Sequence, residues 1–133
     1  GGVSAEIIYG RDAGSTTIKI LKILRQTKND LQSLVDELPK FHQFRDKVDC
    51  PRELNNKILA AAKAKYSGVS VNELDGLKFT FPNDDWLLFR PSGNAPEFRV
   101  FSESQDSERA KKLNNEGMEL VKETISNQRG FNL

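Results

Sequence analysis

The sequence predicts an α+β fold: a two-layer sandwich in which a four-stranded antiparallel sheet is covered by two helices, with further helices ahead of it. Three observations carry this. Leu77, Phe79 and Phe81 alternate with Lys78 and Thr80, the period-two pattern of a half-buried strand. Turn-forming residues at 75–76, 82–85 and 91–96 punctuate that strand and the next two, so consecutive strands pair back as hairpins. Apolar residues at helical spacing then recur on both sides of the strand cluster, which supplies one covering layer.

Taken in order, Glu6-Ile7-Ile8-Tyr9 reads as a short strand ended by Gly10. Asp12 caps a helix over 13–26, whose Ile18, Ile20, Leu21, Ile23 and Leu24 spread widely enough to predict burial on more than one side. A second helix follows a cap at Asn29 or Asp30, carries Leu31, Leu34, Val35 and Leu38, and stops at Pro39. Residues 40–46 show neither period and read as a connection, so the domain boundary is placed there: 1–46 and 47–133. Two helices and a short strand are a thin basis for a domain.

Lys47 to Pro51 reads as a strand. A helix over 52–66 places Leu54, Ile58, Leu59, Ala62 and Tyr66 on one face and ends at Ser67-Gly68. Strands at 77–81 and 86–89 flank the turn at 82–85. The strand from Phe98 turns Phe98, Val100 and Ser102 to one side, Arg99 and Phe101 to the other. Ser104 or Asp106 caps a last helix whose stripe is Ala110, Leu113, Gly117, Leu120, Val121 and Ile125. The tail from Asn127 is expected to fray.

The chain has 133 residues, 20 Lys and Arg against 19 Asp and Glu, and a net charge of +1, which gives no support to a nucleic-acid footprint or an electrostatically held membrane surface. Cys50 is the single cysteine, so an intrachain disulfide and multi-cysteine zinc sites are excluded; a lone thiol fits a reducing, cytoplasmic setting. No apolar run approaches the roughly 20 residues that span a bilayer. Gly1-Gly2 at the start, without methionine, suggests a truncated or processed chain.

The stretch 90–99, Arg-Pro-Ser-Gly-Asn-Ala-Pro-Glu-Phe-Arg, is where chemistry concentrates. A glycine lets backbone amides approach an anion, and guanidinium groups offer bidentate donors to phosphate. The same residues are also ordinary hairpin punctuation, and arginines at strand ends are commonly solvated. His42 has no cysteine partner nearby and makes a poor metal site. Asp75, Asp84 and Asp85 sit at turns, where aspartate usually caps local amides. Cys50 reads as a small buried hydrophobe. Residues 10–14 lack the spacing of nucleotide-binding glycine loops.

The 90–99 stretch resembles the RPSGTEPxxR signature of the α-D-phosphohexomutases, a family that includes phosphoglucomutase, phosphomannomutase and phosphoglucosamine mutase. Asp75-Gly76-Leu77-Lys78-Phe79 and Asp85-Trp86-Leu87-Leu88-Phe89 resemble two further strands of the family, and Glu103 matches an acidic residue closing a third. Residues 10–13 and 34–40 resemble the end of its third domain. The resemblance implies a C-terminal fragment: residues 1–46 as a remnant of the preceding α/β domain with its connection, 47–133 as the TBP-like, phosphate-binding C-terminal domain. The family interconverts hexose 1-phosphate and hexose 6-phosphate through a phosphoserine and magnesium, and the implied role of this domain is to grip the phosphate not being transferred. On this sequence the grip falls on Arg90, Ser92, Gly93, Asn94, Ala95 and Arg99, with no catalytic residue and no metal ligand present. Asn94-Ala95 replace the usual Thr-Glu. The implied partners are a phosphosugar and the remaining mutase domains, with neither nucleic acid nor membrane; magnesium would be held by the parent enzyme. A different class of function, a non-catalytic module that binds nucleic acid or protein on its sheet, rests on Phe79, Phe81, Phe89 and Phe101, and exposure of those rings would favour it. A stand-alone truncated paralogue with a regulatory role is a third reading.

Overall fold

The computed structural model describes residues 3–4 and 8–129, in two compact units that divide at Pro39 and Lys40. The first holds an antiparallel pair, β1 (Val3–Ser4) and β2 (Ile8–Arg11), then helices α1 (Ala13–Thr27) and α2 (Leu31–Asp36). Glu6, Ile7 and the Gly1-Gly2 opening lie outside the described residues. Asp12 caps α1 by accepting from the Gly14 and Ser15 amides, and Asp30 caps α2 by accepting from Ser33. The expected burial of α1 is not found. None of its residues is buried, and Ile18 and Leu21 are more than half exposed. The wide apolar spread is present, but no described residue of this unit buries it.

The second unit contains β3 (His42–Asp49), a 3-10 turn (Arg52–Leu54), α3 (Asn55–Lys65), β4 (Ser70–Asn72), β5 (Leu77–Thr80), β6 (Trp86–Pro91), β7 (Glu97–Ser104) and α4 (Ser107–Arg129). The sheet order is β3-β7-β6-β5-β4, every neighbour antiparallel. It therefore has five strands, not the expected four. The extra one, β4, is a three-residue edge strand of exposed Ser70, Val71 and Asn72, too short and too polar to show a period. β3 is also longer than expected and takes in residues 42–46, which read as a connection. Its side chains are mostly exposed, as befits an edge strand, and only Phe44 and Val48 are half-buried, with Asp46 between them, so no apolar alternation marks it.

The middle strands alternate as the sequence indicates. Phe98, Val100, Ser102 and Ser104 of β7, Leu87 and Phe89 of β6, and Leu77 and Phe79 of β5 are buried, with half-buried residues between them. α3 adds Leu54, Ile58, Ala62 and Tyr66 from around its length, and α4 adds Ala110, Leu113, Met118, Val121 and Ile125. Both helices cover one face only. Asp106 caps α4 by accepting from the Glu108 and Arg109 amides. The helix continues to Arg129, past the expected fraying point at Asn127, and 130–133 lie outside the described residues.

Two glycines set how closely these layers approach. A Cβ on Gly117 would lie 2.7 Å from Val100 Cγ1, so α4 lies almost directly on the sheet there. Gly76 has φ +89 and sits against the carbonyl of Phe89. Tyr66 packs its ring 5.0 Å from Phe79 and 6.0 Å from Phe89, and burial pushes its phenol up to about 12. Cys50 is buried and burial raises its thiol, in keeping with a small hydrophobe.

Candidate phosphate-binding loop

The β6–β7 hairpin closes through residues 92–96. Ser92 N–H donates to the Glu97 carbonyl at 3.0 Å, and Glu97 N–H donates to the Ala95 carbonyl at 2.8 Å. The Ser92 hydroxyl is buried and accepts from the Ala95 amide at 3.3 Å, which folds the tip back on itself. Cys50 N–H donates to the Pro96 carbonyl at 2.8 Å, tying the tip to the end of β3. Among the described residues, the amides of Gly93 and Asn94 donate to no protein group, and both residues are exposed. A Cβ built on Gly93 meets nothing within 4 Å, and its φ is outside the left-handed region. Open space and two unengaged donors therefore coincide at the tip.

The two arginines that flank the loop become neighbours through pairing. Arg90 stands opposite Arg99 across β6 and β7, and Lys47 stands opposite Arg99 across β7 and β3. By alternation all three lie on the sheet face that the helices leave open. Like charges in one cross-strand row repel. Two carboxylates offset that repulsion. Asp75 accepts from Arg90 through both oxygens, at 3.0 Å from Nε and 2.9 Å from Nη2. Glu97 bridges Lys47 at 2.6 Å and Arg99 at 2.7 Å, one oxygen to each. The hydrogen bond from Lys47, then that from Arg99, holds the Glu97 carboxyl below its ordinary 4.5.

A pH dependence follows, with a definite sign. A depressed carboxyl contributes stability above its unfolded pKa and loses it as pH falls through the folded value. The Lys47–Glu97–Arg99 bridge is therefore expected to persist into the range where an unpaired glutamate is already protonating, and to break only under stronger acid. A carbon-detected NMR titration of Glu97 checks this; a midpoint at or above 4.5 would show that the bridge does not form in solution.

All six residues singled out from the sequence belong to this hairpin. Arg90, Gly93, Asn94 and Arg99 present donors; Ser92 is committed to the turn, and Ala95 contributes its amide to it. Sequence reasoning missed Asp75 as a partner of Arg90, and also Lys47, Glu97 and Arg52, whose Nη2 donates to the Gly93 carbonyl at 3.3 Å. Asp75, Lys47 and Arg52 reach the loop only through strand register or the turn after β3, whereas Glu97 lies within the 90–99 stretch, two residues from Arg99. Glu103 has an internal role: it accepts from Trp86 Nε1 at 2.8 Å and from Gln43, joining β6, β7 and β3. The phenylalanines form no exposed row. Phe79 and Phe89 are buried beneath the helices, Phe81 is half-buried with Arg109 over its ring, and Phe101 is half-buried with Arg45 over its ring on the open face.

Among the described residues no three His, Cys, Asp or Glu side chains converge to hold a metal, and no helix is long and apolar enough to cross a membrane.

No family model matches the chain. It is similar to a phosphoglucomutase/phosphomannomutase of Thermococcus kodakarensis, 32% identical over 126 residues that cover 94% of this chain and 27% of the relative. It is also similar to phosphoglucosamine mutases of Methanocaldococcus jannaschii, 30% identical over 93% of this chain and 28% of the relative, and of Methanococcus vannielii, 33% identical over 81% and 25%. The chain spans about a quarter of the length of the curated relatives it matches.

Proposed function

We infer the function from one premise: this chain belongs to the α-D-phosphohexomutase family and corresponds to the C-terminal region of phosphoglucomutase/phosphomannomutase and phosphoglucosamine mutase relatives. The second unit is a phosphate-holding domain that grips the non-transferred phosphate of a hexose phosphate, while the rest of a longer enzyme interconverts the 1- and 6-phosphates. The observation that carries this reading is the hairpin tip: among the described residues the Gly93 and Asn94 amides have no protein acceptor, both residues are exposed, and arginines flank the loop. Phosphoryl transfer depends on positioning and charge stabilisation, so a fixed anchor for the remote phosphate is chemically useful. The first unit, up to Pro39, is the end of the preceding domain, while residues 42–46 belong to the sheet of the second unit. The first unit supplies surface for contact with the parts of the enzyme not contained in this chain. Magnesium, which the family resemblance implies for the transfer, would be held by those parts of the longer protein. Alone, this chain holds phosphate and catalyses nothing.

Arg90 is held by Asp75 and Arg99 by Glu97. Phosphate then binds by joining or replacing a carboxylate at one guanidinium while accepting from the two tip amides. The test is an NMR titration of the isotopically labelled chain with glucose 6-phosphate, with glucose as the control. Saturating shifts at Gly93, Asn94 and Ala95 for the phosphosugar alone support the reading. Equal shifts with glucose, or none at the loop, contradict it.

Gly93→Ala separates binding from folding. The added methyl enters open space in an ordinary backbone conformation, so stability is expected to change by less than about 0.5 kcal/mol. The same methyl adds bulk at the exposed tip beside the unengaged amides, and affinity for the phosphosugar is expected to fall several-fold. Urea denaturation and the NMR titration read the two effects independently.

A further inference from the structure

We propose that Arg52, which lies outside the 90–99 stretch, is a further phosphate-binding residue and the principal free charge of the site. The proposal rests on the phosphate-holding reading above and extends it to a residue delivered by a different element. Arg52 opens the 3-10 turn that follows β3, and the Cys50 amide on the Pro96 carbonyl fixes that segment against the hairpin tip. From there its Nη2 donates to the carbonyl of Gly93, the residue whose amide is unengaged. The three guanidinium groups at the loop are not equivalent. Arg90 is neutralised by Asp75 and Arg99 by Glu97, whereas among the described residues Arg52 has no carboxylate within salt-bridge distance.

Of the three arginines at the loop, Arg52 is therefore the one whose charge an anion at the Gly93–Asn94 amides meets without a carboxylate partner among the described residues. The side chain is exposed and held by a single bond of 3.3 Å to a neutral acceptor, so it can turn towards an anion at little cost. A guanidinium has five donors, so it can keep the Gly93 carbonyl while presenting others to phosphate oxygens. In that arrangement Arg52 both neutralises the ligand and steadies the loop that binds it. Arg90 and Arg99, on the open sheet face, already have their charge offset by a carboxylate. The chemistry selects a phosphate dianion over a carboxylate-sized monoanion, since the local positive charge is concentrated and the donors span several oxygens.

The experiment uses the labelled chain and its Arg52→Gln and Arg52→Lys variants, titrated with inorganic phosphate at constant ionic strength in chloride. The wild-type loop amides of Gly93 and Asn94 are expected to saturate, and the Arg52 Nε–H resonance to shift in parallel. Arg52→Gln is expected to weaken phosphate binding about tenfold, and Arg52→Lys to recover part of the loss. A residue that only braces the loop would leave its own Nε–H unmoved by phosphate. Wild-type affinity in Arg52→Gln, or an unmoved Arg52 resonance while the loop amides saturate, would overturn the role of Arg52 and leave the phosphate loop standing. Unresponsive loop amides in the wild-type chain would overturn both.

Discussion

Gly76→Ala is expected to cost about 3 kcal/mol or more and to disable the loop as well as the fold, because two penalties coincide. A left-handed backbone conformation costs an L-residue roughly 1–2 kcal/mol, and Gly76 has φ +89. In addition, the new Cβ would lie 2.3 Å from the Phe89 carbonyl oxygen and 3.2 Å from Arg90 Cα, both backbone atoms that no rotamer change can move aside. Relief requires β5 and β6 to part at the Leu77–Phe89 pair. The damage runs directly into the site, since Asp75 precedes Gly76 and Arg90 follows Phe89. The lone tryptophan, Trp86, stands on β6, so its fluorescence in urea reports the stability of this unit without interference from the first. A loss below about 1 kcal/mol would mean that the turn relaxes freely, against the expected size of a strained, clashing substitution.

Phe89→Ala is the second large effect, expected at about 3–5 kcal/mol for a fully buried phenylalanine. Phe89 is wholly inaccessible, contacts Tyr66 and Phe79 with ring centroids 6.0 Å away, and lies beneath α4 where Gly117 allows close approach. The cavity would sit between rigid strands and two helices, so little collapse is available to reduce its cost. Phe89→Leu retains most of the volume and is expected to lose much less. Urea midpoints with an unchanged slope for both variants would show that the difference is one of stability alone. Equal losses for Ala and Leu would show that ring geometry, rather than filled volume, sets the cost.

The residues legible in the sequence were those whose burial is periodic. Phe98, Val100, Leu77 and Phe79 announce their face by alternation, and Ile58, Ala62, Leu113 and Val121 announce theirs by helical spacing; all are buried where expected. What the pattern concealed was the sheet edges. β4 is three exposed residues, and β3 is held by pairing with β7 rather than by an apolar face, so 42–46 lacked any signal before the partner strand was known. The same holds at the loop. Arg90 and Arg99 are visible because they bracket a glycine turn, but their carboxylate partners are not local in effect. Asp75 is 15 residues from Arg90, and Glu97 gathers Lys47 from 50 residues away. Arg52 reads as an ordinary first residue of a helix until its contact with Gly93 is seen. In α1 the apolar spread predicts a partner surface, yet none of the helix's residues is buried.

The most direct test of the phosphate-holding role is a crystal structure of the chain grown or soaked with a hexose phosphate. The phosphate is expected to lie at the hairpin tip, with oxygens within hydrogen-bond distance of the Gly93 and Asn94 amides, and with at least one of Arg52, Arg90 and Arg99 turned onto it. A phosphosugar bound elsewhere on the domain, or a tip left vacant at saturating ligand, would contradict the role assigned to this loop.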